Sequence, residues 1–417
     1  MIHLYNMYKY CKTRRMRLPS IRPTSFAWLW ASTTSGALAE GISLSVLPLL
    51  ISTLTRDPVL VSTLQVAAAI PWLVFGLQAG ALADRWNRAR VLLLSDLARA
   101  VVAALLAVTV LVDMVSIAVL LGFAFLSSIA TVMYSSADGA LLPSLVSSQE
   151  LTQANSRLKT GTTVTGNIIG PSLGSTLFAL GHAVPVLTQA ASFASSVAFL
   201  RGLPRPVETP EPSGLQLRHE IAEGLAHVRR DRTLLTLAGT STLEGIATWM
   251  LMAILVLYSL EVLNAASAAY GILFTAYAAG SLAGAALTGR IAAQLNTRTS
   301  MTVAALLCGT SLFIMAATSS FVVAATAMAL LGFAAMVLGI IAVSERQRRV
   351  PDHLLGRVSG VFNVLNVGTA PIAAPISGLI ASHWGLPTAI TVCGATFCLA
   401  ALLINTGLKT PHPEPIA

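Results

Sequence analysis

The chain has 417 residues, of which 55% are hydrophobic and 10% are charged, and its mean hydropathy is +0.75. These values exclude a soluble globular domain and indicate a polytopic membrane protein. The net charge of +9 is not accompanied by any groove-reading module, so no nucleic-acid partner is expected.

Twelve apolar stretches follow one another along the chain, each long enough to cross the ~30 Å hydrocarbon layer as a helix. The first six are predicted at 26–53, 58–82, 91–112, 117–141, 158–180 and 184–200. The second six are predicted at 234–260, 268–287, 301–317, 321–343, 358–380 and 388–404. The predicted fold class is therefore an all-α membrane protein with 12 transmembrane helices.

The first predicted span carries an acid, Glu40, roughly 21 Å along a helix that rises about 1.5 Å per residue. An ionised carboxylate at that depth costs several kcal/mol unless it is paired or wetted, so it is a functional hypothesis by default. Glu40 could carry a proton or contact a cationic substrate group. Alternatively, it could bond a nearby hydroxyl such as that of Ser43 and fix helix packing.

The loop between the second and third spans, GALADRWNRAR, combines a small residue, an acid and several bases. A glycine allows close helix approach, an acid can meet the positive end of a helix, and arginines hold a loop in the cytoplasm. The residues concerned are Gly80, Asp84, Arg85, Arg88 and Arg90. This pattern resembles the gating loop of the major facilitator superfamily, although Asn87 stands where the family commonly has glycine. Asparagine also tolerates left-handed backbone.

Three further charges lie within the next two spans. Asp96 and Arg99 are spaced i,i+3, so they can pair on one helix face as a gate, a packing contact or a proton relay. Asp138 lies near the cytoplasmic end of the fourth span, within reach of the gating loop. Resemblance to the superfamily implies a charge relay there; a plain helix-end charge is the alternative.

The fifth span carries Gly166, Gly170 and Gly174, with Pro171 beside the second glycine. This spacing predicts one smooth helix face and a bend, and we expect that face to let the two halves pack closely and rock. The run resembles motif C of the proton-driven drug antiporters. With Leu142-Pro143-Ser144 and Gly356-Arg357-Val358, the chain is similar to the macrolide-efflux branch of these antiporters over residues 25 to 405.

A polar interruption at 201–233 holds a proline-rich stretch and then a predicted amphipathic helix. It divides the chain into a basic N-terminal segment (1–24), a six-helix bundle (25–200), a cytoplasmic linker (201–233), a second six-helix bundle (234–405) and a cytoplasmic tail (406–417). The two bundles repeat at an offset of 204 residues, which predicts a parallel, pseudo-symmetric repeat. The matching residues are Glu40-Gly41-Ile42 with Glu244-Gly245-Ile246, Gly76 and Gly80 with Gly280 and Gly284, and Pro171 and Gly174 with Pro375 and Gly378.

Glu244, the repeat mate of Glu40, lies roughly 15 Å into the seventh predicted span. In the superfamily that this chain resembles, the first and seventh helices face a central substrate cavity. Glu244 is therefore a second candidate for proton coupling or substrate contact, with a hydrogen bond to Thr242 as the packing alternative. Polar and aromatic residues within spans are candidates to line the cavity: Gln65, Gln78, Trp249, Tyr277, Asn363 and Asn366.

Lysine and arginine concentrate in the even-numbered loops and at both termini, which predicts that both termini are cytoplasmic. Only Arg56 falls in a predicted outer loop. The expected location is the inner or plasma membrane of the cell, with multiple crossings.

The resemblance implies export of a hydrophobic or amphipathic compound in exchange for protons. Export of a siderophore or other metabolite, import by the same fold, and a non-transporting membrane role remain open. The chain has no phosphate-binding loop and no His-x3-His pair, so an enzyme, a cofactor and a metal site are not expected. The expected partners are the lipid bilayer, a small-molecule substrate and protons, and a monomer is expected.

Overall fold

The computed structural model describes residues 23–83, 87–142, 145–146, 150–203, 217–351 and 354–408. These residues are almost entirely helical, and none of them forms a β-strand. The basic segment 1–22 and the tail 409–417 lie outside the described residues, as does the proline-rich stretch 204–216.

The N-terminal bundle contains six membrane crossings, the fifth of which is divided. Its helices are α1 (Pro23–Leu54), α2 (Pro58–Ala83), α3 (Arg88–Leu111), α4 (Ile117–Leu141), α5 (Leu151–Thr163), α6 (Gly170–Leu180) and α7 (Ala183–Arg201). A π-helical segment, Val164–Ile169, joins α5 to α6.

The C-terminal bundle repeats this arrangement after a linker helix, α8 (Leu217–Arg230). Its helices are α9 (Arg232–Leu257), α10 (Ser267–Gln294), α11 (Thr297–Ala317), α12 (Phe321–Arg349), α13 (Leu355–Val367), α14 (Ala370–Trp384) and α15 (Leu386–Gly407). Within the described residues, eleven stretches are long and apolar enough to span a membrane, and α5 with α6 adds the divided fifth crossing. The predicted fold class, two six-helix bundles with 12 crossings, is confirmed.

The fifth and eleventh crossings are interrupted at matching positions. The π-helical segment begins at Val164 and precedes Pro171, while the eleventh crossing breaks at Gly368–Thr369, shortly before Pro371. Proline cannot donate a backbone hydrogen bond and crowds the preceding turn, which favours an interruption of the α-helix just before it. The sequence predicted a bend near Pro171, but it predicted one unbroken helix over 358–380.

The helix α12 extends beyond its predicted end. The tenth span was predicted to end at residue 343, whereas α12 continues as a helix to Arg349. The linker helix α8 packs against α13, where an Arg357 guanidinium nitrogen donates to Glu223 and Val228 is buried. The arginine-rich end of α12 and the linker helix therefore both belong to the C-terminal bundle.

The two bundles meet where α6 crosses α10 and where α2 crosses α14. Ser172 Oγ donates to the carbonyl of Gly271 at 3.2 Å, and Ser175 Oγ donates to the carbonyl of Ala268 at 3.1 Å. Gly378 of α14 packs closely against Pro58 and Ser62 of α2. We call this end of the molecule, beside the starts of α2 and α10, the closed end. We call the opposite end, which holds α8 and the end of α12, the basic end.

The glycine face of the fifth crossing lies inside the N-terminal bundle. A Cβ on Gly170 would collide with Gly41 of α1, and one on Gly174 would collide with Ser45 of the same helix. The expectation that the face formed by Gly166, Gly170 and Gly174 lets the two halves pack closely and rock is therefore wrong. The bundles instead meet on the serine-bearing side of α6, because the glycines are already used to bring α1 and α6 together.

Candidate functional site

A buried arginine links the first and third crossings. Arg99 of α3 donates from Nη1 to Oε1 of Glu40 on α1 at 2.5 Å. The side chain of Arg99 is 1% exposed, whereas that of Glu40 is 45% exposed. Glu40 therefore connects a fully buried cation to open space beside the helix, which is the arrangement that a proton-accepting carboxylate needs.

Arg99 also binds the acid one turn earlier on α3. Its Nη2 donates to Oδ1 of Asp96, and Ser196 of α7 donates to the other carboxylate oxygen. The hydroxyls of Ser196 and Ser32 lie 2.8 Å apart. We refer to Glu40, Asp96, Arg99, Ser196 and Ser32 as the Arg99 cluster. It joins three helices, and its two carboxylates share a single guanidinium.

Aromatic rings enclose the arginine on both faces. The guanidinium carbon of Arg99 lies 4.4 Å from the ring centre of Tyr134 and 4.8 Å from that of Phe193. Such cation–π contacts stabilise a cation that has lost its water. Asp138 of α4 lies within electrostatic range of both Asp96 and Arg99. The cluster therefore holds more acid than base.

Glu244 of α9 occupies the matching position in the second bundle but has different surroundings. It forms no hydrogen bond or ion pair with any described residue. Its electrostatic neighbours are Tyr277 and Cys308, which are neutral side chains. The helices α11 and α15 carry no buried base. The two repeat-related acids therefore share a position but not a partner.

The gating loop lies mostly outside the described residues. This applies to Asp84 and Arg85, and the surroundings of Gly80 and the side chain of Arg88 are likewise not described, so the proposed relay to Asp138 stays a prediction. Asn87 is described, and its backbone is extended. Its Oδ1 accepts a hydrogen bond from the amide of Arg90 at 3.3 Å. Asn87 thus caps α3 and is not a left-handed turn residue.

A cavity of about 500 Å³ opens toward the basic end of the C-terminal bundle. It is lined by Ser241, Arg346, Ser359, Gly360, Phe362, Asn363 and Asn366. Two of the six polar or aromatic candidates from the sequence, Asn363 and Asn366, lie here. Arg346 was not among the candidates, because the predicted tenth span ended before it.

The sequence and the helix arrangement both match known transporters. A family profile described as transmembrane secretion effector, a branch of the major facilitator superfamily, matches residues 17–415. The chain belongs to this family. Neither the family nor the fold is that of an enzyme. Among the described residues, no group of three histidine, cysteine or acidic side chains is placed to hold a metal.

Several relatives of this chain are efflux proteins. Macrolide efflux protein A of Streptococcus pyogenes is 22% identical over 89% of this chain and 95% of its own. Multidrug efflux pump Tap of Mycolicibacterium fortuitum is 28% identical over 86% and 89%. Enterobactin exporter EntS of Citrobacter koseri is 24% identical over 66% and 67%.

Solved structures support the same fold. A mutant of the nucleoside transporter NupG superposes with a TM-score of 0.78 at 14% identity, covering 92% of this chain and 100% of the other. At this identity the likeness shows the fold alone. Together with the family match, it shows that the protein is a multi-pass membrane transporter of the major facilitator superfamily.

Proposed function

We propose that the protein exports a hydrophobic or amphipathic small molecule in exchange for protons, by alternating access across the cell membrane. Both termini and the basic end face the cytoplasm, as the positive-inside rule predicts. One chain contains both bundles, so a monomer suffices. The observation that carries this proposal is the bond between the half-exposed Glu40 and the buried Arg99.

The Arg99 cluster suits a proton carrier because one protonation changes its total charge from −1 to neutral. With Glu40 and Asp96 ionised, the two carboxylates outnumber the single guanidinium. A proton on Glu40 removes the excess charge and leaves Arg99 held by Asp96. A neutral cluster costs less to enclose in a low-dielectric interior than a charged one. Proton uptake therefore favours the state in which Glu40 is shut off from water.

The entry of one proton per transport cycle provides enough energy to export a neutral substrate against a concentration gradient. A unit charge crossing 100 mV gains about 2.3 kcal/mol, so a total driving force near 150 mV supplies roughly 3.5 kcal/mol. At about 1.4 kcal/mol per factor of ten, this sustains a gradient of a few hundredfold for a neutral substrate. A single working carboxylate is therefore adequate for useful efflux.

The test is proton release from reconstituted vesicles that carry a pH gradient, on addition of macrolides, tetracyclines or dye-like cations. We expect a substrate-triggered proton flux in the wild type and in Glu261→Gln, which removes an exposed acid. Glu40→Gln should abolish the flux. Equal flux in wild type and Glu40→Gln would contradict the assignment.

A siderophore or other metabolite exporter is the second candidate, and the similarity to enterobactin exporter EntS favours it. Such an exporter would show no proton flux on addition of drugs but would show proton flux on addition of the metabolite. Solute accumulation on the cytoplasmic side would indicate an importer. Absence of any substrate-dependent flux in folded, oriented protein would indicate a non-transporting membrane component.

A further inference from the structure

The end of α12 carries three arginines, and Arg346 differs from the other two because it is not paired with Glu345. Arg349 binds Glu345 at 2.8 Å, and Arg348 lies 3.7 Å from the same carboxylate. Arg346 has no acceptor among the described residues, and its Nε is buried without a hydrogen-bond partner. Its one described contact is with the ring of Phe362, 4.6 Å from the guanidinium carbon. The fold therefore leaves one half-buried guanidinium without an anion.

Arg346 lines the 500 Å³ cavity at the basic end, and the other described lining residues are uncharged, four of them polar. Ser359 and Asn363 offer a hydroxyl and an amide from the facing helix α13. The amide of Asn366 donates to the carbonyl of Ser241 at 3.2 Å, which fixes this part of the wall. The seven described lining residues include no carboxylate. The cavity thus presents hydrogen-bond donors and one positive charge.

A buried donor of a charged group that lacks an acceptor is costly, so its retention points to an acceptor that arrives from elsewhere. The guanidinium fork matches the two oxygens of a carboxylate or phosphate, and such bonds are stronger when charge-assisted. Aromatic stacking on Phe362 holds the fork in place before the acceptor arrives.

We propose that Arg346 binds an oxyanionic group of the transported molecule, with Ser359 and Asn363 donating beside it. The inference rests on the proposed function in one respect, because it takes the cavity as part of the export path. It narrows the substrate class to amphipathic molecules that carry an acidic oxygen group next to an apolar body.

An alternative role for Arg346 is a latch that pairs with an acid of the N-terminal bundle when the basic end closes. The two roles differ in what they predict for ligands. A latch changes the equilibrium between open and closed states, so its loss alters the affinity for charged and uncharged ligands by the same factor. A substrate contact alters the affinity for the charged ligand alone.

The experiment measures equilibrium binding of 1-pyrenebutyrate and 1-pyrenebutanol to purified protein by fluorescence anisotropy. The probes share an apolar body and differ in the oxyanion. We expect the wild type to bind the carboxylate at least about tenfold more tightly than the alcohol. Arg346→Gln should abolish this preference and leave the alcohol affinity unchanged, while Arg346→Lys should keep part of it. Arg348→Gln, which removes an arginine two residues away, is the matched control and should keep all of it.

Three outcomes would overturn the proposal. They are equal affinities for the two probes in the wild type, an unchanged preference in Arg346→Gln, and no saturable binding of 1-pyrenebutyrate. An equal loss for both probes in Arg346→Gln would indicate the latch. Size-exclusion chromatography of each variant confirms that it is folded. The assay uses no ion gradient, so a failure of proton coupling would leave its result unchanged and would be detected separately as missing proton flux.

Discussion

The two bundles share a backbone arrangement and a membrane-embedded acid at matching positions, but the acid has different bonding partners in each bundle. In the first bundle, Glu40 is bonded to Arg99, which is bonded to Asp96. In the second, Glu244 has no described partner, and the positions that match Asp96 and Arg99 at the 204-residue offset are Ser300 and Val303. The repeat preserved the packing glycines while the charges diverged. A pseudo-symmetric fold can therefore build a buried charge network in one half and leave the other half with a single acid that has no described partner.

Removing Arg99 should have the largest effect. Arg99→Gln leaves Asp96 ionised and fully buried without its cation, which we expect to cost about 3–5 kcal/mol of stability. The measurement is the thermal unfolding midpoint of the purified protein in detergent. Adding Asp96→Asn to this variant should recover part of the loss, because the uncompensated charge is then gone. Unchanged stability of Arg99→Gln would show that the cluster does not hold the first bundle together.

The next largest effect should be a difference in stability between variants that neutralise the two repeat-related acids. Glu40→Gln loses a charge-assisted hydrogen bond to Arg99, so we expect a loss of about 1.5–3 kcal/mol. Glu244→Gln removes no described bond and should stay within about 0.5 kcal/mol of the wild type. Both values can be read from unfolding of the two variants side by side. A loss in Glu244→Gln as large as in Glu40→Gln would mean that Glu244 has a structural partner after all.

The smallest expected effect on stability comes from alanine substitutions at two glycines in matching positions, Gly76 of α2 and Gly280 of α10. A Cβ at Gly280 would collide with the backbone of Ala329 on α12, so Gly280→Ala should cost about 1–3 kcal/mol. At Gly76, nothing lies within 4 Å of the added Cβ. Gly76→Ala should therefore gain about 0.5–1 kcal/mol from helix propensity alone. If both variants shift in the same direction, the two bundles pack more alike than the structure indicates.

Hydropathy was sufficient to predict the crossings, because the membrane imposes a length and an apolar composition on each. The i,i+3 spacing also predicted that Asp96 and Arg99 could pair, and they do. The bond between Arg99 and Glu40 could not be predicted in the same way. Its partners are 59 residues apart, and their meeting depends on how α1 and α3 each pack against α7.

Other features were missed for identifiable reasons. The glycine spacing on the fifth crossing showed a smooth face but not which helix would use it. The helical end of α12, which carries Arg346, is polar, so an apolar criterion ended the span too early. The break at Gly368–Thr369 was missed because the residues on both sides are apolar, although Pro371 gave a signal for it. The roles of the site residues remain predictions.

The divided fifth and eleventh crossings have a mechanical consequence. The contacts between the bundles fall largely on two short rods, α6 with 11 residues and α14 with 15 residues. Each rod is joined to the rest of its crossing by backbone that is not regular α-helix, where bending sacrifices few hydrogen bonds. These two short helices therefore make most of the contacts that must change when the closed end opens. The inner helices α5 and α13 can stay in place and keep the walls of the cavity intact while the opposite end swings apart.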